Sequence, residues 1–348
     1  MSGGTTVTAT GFERVDLPLS EVFTISRGST ETATNVLARV TDGAGRVGIG
    51  GAAPVSYVGE TVEGVETAMP DLLAGVEEVG DPHAQQRIEG MLADAAPDRP
   101  AARTAVSIAV HDLAARQTGE ALYRRWGLDP AAVPATSYTV GIDTPAEMAA
   151  RARRIRDSGY QILKIKLGTD DDRRRLEAVR EAAPDARIRV DANGAWTPEG
   201  AVERCEWLAD AGVEFVEQPV AHDDIEGLSR VGAASPIPVA ADESCLTATD
   251  VPAVAEAVDI VVVKLMKCGG LRPAVRQIAT AQAHGLDVML GCMVESYASL
   301  AAAWHLAPLV EYADLDGALL LAEDPFEWVS LSQGRPDIRH VTAGTGVT

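Results

Sequence analysis

From Ser137 onward the chain alternates short apolar runs with amphipathic helical stretches at a nearly constant step, and few architectures accept that rhythm. The runs are Ser137–Val140, Ile162–Leu167, Ile188–Val190, Phe215–Val216, Pro238–Ala240, Ile260–Val263, Val288–Leu290 and Tyr312–Leu315. Strand–helix alternation of this kind implies parallel strands joined by crossover helices. Eight such runs in roughly 180 residues fit a closed α/β barrel better than an open sheet. A polar residue or glycine follows the runs at Lys166, Asp191, Glu217, Asp242, Lys264, Gly291 and Asp314, at steps of 25, 26, 25, 22, 27 and 23 residues. The C-terminal ends of barrel strands share one face, where barrel active sites are built, so these distant positions are expected to meet in one pocket.

The first ~130 residues have a different texture and read as α+β. Strand patterns cover Thr6–Asp16, Thr34–Thr41 and Arg46–Gly50, with Asp42-Gly43-Ala44-Gly45 as the hairpin turn between the last two. Helical patterns follow near Val62–Ala74, Pro82–Leu92 and Ala101–Arg116. After Leu321 no further unit is visible, and this tail is expected to pack back on the N-terminal part.

Lysine is almost absent. Lys164, Lys166, Lys264 and Lys267 are the four in 348 residues, against 26 arginines. A lysine can give up its proton when its pKa is lowered, whereas arginine effectively cannot. A chain that avoids lysine everywhere except beside two strand-like runs therefore points to proton transfer. Lys164 and Lys166 are two apart on one strand and project to the same side. Lys264 ends a strand four units later, across the barrel. Two lysines flanking a held substrate suit removal of a proton α to a carboxylate and its return from the other face.

Asp191, Glu217 and Asp242 fall on consecutive units, in Asp-Ala-Asn, Glu-Gln-Pro and Ala-Asp-Glu-Ser. Three convergent carboxylates without His or Cys make a hard oxygen site suited to Mg²⁺. The alternative for each one singly is a cap on the following helix.

Lys-x-Lys, Asp-Ala-Asn, Glu-Gln-Pro, Ala-Asp-Glu-Ser and Lys-Leu-Met-Lys, in this order and phase, resemble the enolase superfamily, in particular its muconate-lactonizing subgroup. The resemblance implies a (β/α)7β barrel over 131–321 and an N-terminal α+β capping domain over 1–130, completed by the tail 322–348. It also implies that Asp191, Glu217 and Asp242 bind Mg²⁺, that Lys166 and Lys264 are the paired acid and base, and that Lys164 assists electrostatically, the chemistry known for such sites.

Ala313-Asp314-Leu315-Asp316-Gly317 resembles the Asp-x-Asp of the subgroup's dipeptide epimerases. That likeness implies that Asp314 and Asp316 hold a substrate α-ammonium group. Phe23-Thr24-Ile25-Ser26-Arg27-Gly28 is similar to the specificity loop of alanyl-glutamate epimerases, in which Arg27 would meet a substrate glutamate. Cys292, Met293 and Glu295, in the segment resembling the seventh strand end, would line the pocket. Two departures fall where side-chain specificity is expected to be set: Gly50-Gly51-Ala52 after the hairpin, and Val58 where some relatives carry arginine. The activity implied is a 1,1-proton transfer through an enediolate on a small dipeptide. An N-acylamino-acid racemase, an o-succinylbenzoate synthase, a muconate-type cycloisomerase and a retired barrel acting as a binding protein remain the alternatives.

Net charge is −21, which argues against nucleic acid and anionic membranes as partners. No basic or apolar leader pattern occupies Met1–Val15. Cys205, Cys245, Cys268 and Cys292 share no metal or redox spacing. Reduced thiols in a cytoplasmic protein are therefore expected, with the oligomeric state left open, a homo-oligomer included. Acidic excess with lysine depletion suggests a halophilic protein, and an acidic protein without salt adaptation is the alternative. Carboxylate repulsion acts over a Debye length of ~30 Å at 0.01 M salt and ~3 Å at 1 M. The melting temperature is accordingly expected to rise from dilute buffer to molar KCl at fixed Mg²⁺. A flat or falling trend would remove the salt-adaptation reading.

Overall fold

The computed structural model describes residues 4–348. Its N-terminal part is an antiparallel sheet of β1 (Val7–Ile25), β2 (Gly28–Asp42) and β3 (Val47–Ala52), in that order. The β2–β3 turn is held by Asp42, whose Oδ1 accepts from the backbone N–H of Ala44 and Arg46, each at 3.0 Å. Helices α1 (Val62–Val79), α2 (Gln85–Ala95) and α3 (Pro100–Thr118) cover the sheet. Thr61 caps α1 by accepting from Gly64 N–H. The alanine-rich α3 is buried almost all round and lies so close to β3 that a Cβ on Gly50 would stand 2.1 Å from Ala105 O. That contact explains Gly50: only glycine lets the two backbones approach. Gly51 in turn faces Ala298 and Ser299. The glycines expected to set specificity thus serve packing against helices.

β1 and β2 run well beyond the strands expected, in a hairpin whose tip is Ser26 and Arg27. Much of this extension is exposed on both faces, so no alternation of apolar and polar residues marks it. The tip is seated on the barrel. Ile142 N–H donates to Thr24 O at 2.8 Å, and a Cβ on Gly168 would meet the Ser26 Cβ at 2.8 Å.

The eight apolar runs are all strands: β4 (Tyr138–Val140), β5 (Ile162–Lys166), β6 (Arg187–Asp191), β7 (Val213–Glu217), β8 (Val239–Ala241), β9 (Ile260–Lys264), β10 (Asp287–Gly291) and β11 (Tyr312–Asp314). They pair in sequence order, all parallel. A parallel bridge between Thr136 and Ala313, with Ser137 N–H donating to Ala313 O at 3.1 Å, closes the ring. Helical crossovers follow the first seven strands, reduced after β8 to the short Val251–Val254, so the architecture is a (β/α)7β barrel. Phe215, Ala240, Ile260, Val262 and Met289 fill its interior. Arg189 joins them, its guanidinium 5.1 Å from the ring centres of both Phe215 and Tyr312. No described helix is long and apolar enough to cross a membrane.

The C-terminal residues return to α3. Thr345 N–H donates to Asp112 Oδ1 at 2.7 Å, and Arg116 donates to Val347 O at 2.7 Å. Beneath this tail His305, on the helix Tyr297–Leu306, is fully buried. Its Nδ1 accepts from Tyr123 N–H at 3.3 Å, and its Nε2 lies 3.1 Å from Thr345 O, to which it donates in the neutral ring. A proton on Nδ1 would face another donor. Burial lowers this imidazole from 6.5 to about 4. The unfolded chain therefore takes up a proton at mildly acidic pH that the native state refuses. His305's stabilisation is full above its unfolded pKa and is lost as pH falls towards its native one. The stability gap between the wild type and His305→Gln is expected to narrow by about 2 kcal/mol between neutrality and about pH 5, measured by urea unfolding. A gap that stays constant or widens would contradict this account.

Candidate active site

The register of the barrel sets the site. Lys166 pairs with Asp191, Asp191 with Glu217, and Gly291 with both Lys264 and Asp314. Asp242 follows β8 directly. All seven positions of the sequence rhythm therefore lie at the C-terminal strand ends, around one mouth. Gly291 is small for a reason: a Cβ there would come within 3.1 Å of Lys264 Cε. Asn193 and Gln218, just past the ends of β6 and β7, adopt left-handed φ values of 47° and 40°. Such conformations survive where surrounding bonds over-determine them. Asn193 N–H donates to Asp191 Oδ1 at 2.9 Å. Gln218 Oε1 accepts from the N–H groups of Asp242 at 3.0 Å and Ser244 at 3.1 Å.

Asp191, Glu217 and Asp242 are fully buried, and the lysines stand between them. Lys164 Nζ lies 2.7 Å from Asp314, 2.6 Å from Glu217 and 3.2 Å from Asp191. Lys166 reaches Asp191 at 2.6 Å, and Lys264 reaches Asp242 at 2.7 Å. Burial alone would raise Asp191 and Asp242. The neighbouring Lys166 and Lys164, and Lys264 and Lys267, instead hold the two below the usual carboxylate range. The same contacts outweigh burial for Lys164 and Lys264, and raise both ammonium groups.

In this arrangement no three His, Cys, Asp or Glu side chains stand in ion-holding geometry among the described residues. The donor chemistry nonetheless fits Mg²⁺. Burial, and then Asp191, push Glu217 upward. Neither of its oxygens has a hydrogen-bond partner, its one close polar contact being the ion pair to the Lys164 ammonium at 2.6 Å. A buried carboxylate with unused lone pairs beside two others calls for a cation with oxygen preference.

The cleft above these groups has a volume of about 460 Å³. Lys164, Lys166, Lys264, Asp314, Asp316, Arg27, Cys292 and Met293 all line it. Glu295 does not: its carboxylate turns back to accept from Met293 N–H and from Ser299 Oγ, and burial pushes it up to about 7. It shapes the β10 loop from behind rather than facing the cleft. From the capping side, Tyr57 rather than Val58 reaches the space.

Asp314 and Asp316 are not equivalent. Asp314 is committed to Lys164 and to Ser137 Oγ, which donates at 2.5 Å. Asp316 accepts from Thr139 N–H at 2.6 Å through one oxygen. Burial, and then Asp314, raise its pKa. Arg27 is not free either: its Nη2 lies 2.6 Å from Glu243 Oε1, and its guanidinium stacks 4.8 Å from the Tyr57 ring centre.

Lys267 is the group whose part the spacing did not disclose. It sits on the one-turn helix Leu265–Cys268 with no side-chain exposure. Its ammonium donates to Asp242 Oδ1 and O at 2.7 Å each, Val262 O at 2.8 Å and Cys245 O at 3.1 Å. Lys267 thus fixes Asp242 from below. Lys267→Met would strand these acceptors and is expected to cost ~3–5 kcal/mol in unfolding free energy. Wild-type stability in that variant would show that the contacts carry nothing.

Two family profiles match the chain, "Mandelate racemase / muconate lactonizing enzyme, N-terminal domain" over residues 8–127 and "Enolase C-terminal domain-like" over 147–341. The L-Ala-D/L-Glu epimerase of Bacteroides thetaiotaomicron is 36% identical over 321 residues, 92% of this chain and 82% of that one. The dipeptide epimerase of Enterococcus faecalis, complexed with Mg and L-Leu-L-Tyr, superposes with a TM-score of 0.91 at 32% identity over 99% of both chains. That of Methylococcus capsulatus, complexed with Mg and L-Arg-D-Lys, gives 0.90 at 34% identity, again over 99% of both.

Proposed function

We propose a function from one premise, that this chain belongs to the enolase superfamily: it is a Mg²⁺-dependent dipeptide epimerase, acting at the Cα beside the substrate's terminal carboxylate. The observation that carries the reading is the placement of Lys166 at the end of β5 and Lys264 at the end of β9, four strands apart in an eight-stranded ring, with the cleft between them. A substrate carbon held there has a lysine on each face. One lysine, as the free amine, takes the Cα proton. The opposite ammonium returns a proton to the other face, so composition is conserved and one stereocentre inverts.

Asp191, Glu217 and Asp242 are the oxygen ligands for Mg²⁺. Bound there, Mg²⁺ would supply positive charge that stabilises the enediolate form of the substrate. Lys164, ringed by Glu217, Asp191 and Asp314, adds a fixed positive charge at the carboxylate end.

Asp316 selects a dipeptide over the rival substrates. It has one oxygen engaged by Thr139, and it faces the cleft from the end of the barrel where β11 meets β4. An ammonium group desolvated at this point needs a paired charge, and loss of a buried partner costs ~3–5 kcal/mol, a factor of hundreds or more in affinity. Asp316→Asn is expected to raise KM for dipeptides on that scale while Mg²⁺ affinity is unchanged. N-acetyl dipeptides should be poor substrates of the wild type for the same reason. Faster turnover of N-acyl amino acids than of any free dipeptide would make an acylamino-acid racemase the correct reading.

A further inference from the structure

We propose that Glu243 sets the substrate class by neutralising Arg27, so that the side chain being epimerised is uncharged rather than acidic. The inference rests on the dipeptide epimerase reading and names the substrate of that site. Arg27 stands at the hairpin tip and lines the cleft, where a free guanidinium would invite a carboxylate. It is not free. Its Nη2 lies 2.6 Å from Glu243 Oε1, whose side chain is only 4% exposed. The other Glu243 oxygen is buried without a partner, and Asn193 Nδ2 offers Oε1 a long 3.4 Å bond. Lys264 and Lys267 are committed to Asp242. A substrate carboxylate that drew Arg27 away would therefore leave Glu243 buried with no cation to replace it.

The position along the cleft tells which side chain is concerned. Glu243 follows β8, whereas Asp316 follows β11, three strands round the ring. The Arg27–Glu243 pair thus lies away from the ammonium end, towards the residue whose Cα stands between the lysines. The capping-side lining around the pair sets Ile25, Pro54, Val55 and the Tyr57 ring beside the small neutral Ser29, Thr30 and Ser56, with no second charge. A neutral pair in an otherwise uncharged wall accepts a hydrocarbon or aromatic side chain and rejects a net charge.

The test is the ratio of kcat/KM for L-Ala-L-Leu over L-Ala-L-Glu, read as Cα deuterium incorporation in D₂O by the Mg²⁺-loaded chain. The ratio does not depend on the fraction of active enzyme. Tenfold or more in favour of leucine is expected for the wild type. Glu243→Gln should lower the ratio at least tenfold by releasing Arg27, and Arg27→Gln in that background should restore it. Arg27→Gln alone should raise turnover of L-Ala-L-Lys relative to L-Ala-L-Leu by exposing Glu243. Equal use of the two substrates by the wild type would overturn the proposal. So would a selective loss of L-Ala-L-Glu turnover in Arg27→Gln, or an unchanged ratio in Glu243→Gln. Absence of exchange with every dipeptide would instead sink the epimerase reading itself, and the proposal with it.

Discussion

Five carboxylates, Asp191, Glu217, Asp242, Asp314 and Asp316, are buried at one end of a barrel, and everything else about the site follows from the cost of putting them there. Like charges out of water repel strongly and lose their hydration. All four lysines of the chain are spent on that problem. Lys164 spans three of the carboxylates, Lys166 and Lys264 take one each, and Lys267 supports Asp242 from beneath. One carboxylate, Glu217, is left with no hydrogen bond. The same excess of negative charge that destabilises the bare mouth is what gives a divalent cation a reason to bind.

The capping sheet completes this arrangement instead of merely covering it. Its long hairpin reaches the barrel through Thr24 and Ser26 and delivers Arg27 to Glu243, next in sequence to Asp242. The cleft is therefore walled partly by one domain and partly by the other. Asp316 marks one end, the lysine pair the middle, and the Arg27–Glu243 pair the other end.

How much of this was legible in the sequence depended on burial. The barrel strands are buried on both faces, read as short continuous apolar runs, and end in polar residues at a regular step, so the fold and the convergence of Lys166, Asp191, Glu217, Asp242, Lys264 and Asp314 could be read directly. The outer half of the β1–β2 hairpin could not. Its strands are exposed on both faces, and pairing alone leaves no hydrophobic period. Orientation inside a loop was equally hidden. Glu295 and Met293 are two residues apart after β10, yet one turns inward to Ser299 and the other faces the cleft. Arg27 was visible as a cation near substrate, but its partner lies 216 residues away, and no local pattern links the two. Gln218 gave no signal, since a following proline favours extended backbone whereas its φ is 40°.

The central claim is that Lys166 and Lys264 serve opposite faces of one carbon. It is tested most directly by following deuterium entry at the Cα of L-Ala-L-Leu and L-Ala-D-Leu separately, in Lys166→Ala, Lys264→Ala and the two Lys→Arg variants. Epimerisation should vanish in all four, because alanine has no proton carrier and arginine cannot shed its proton. Any exchange that survives an alanine substitution should be confined to a single stereoisomer, the opposite one in the two variants. Full epimerisation by either arginine variant, or exchange of both isomers after loss of one lysine, would contradict the two-faced mechanism.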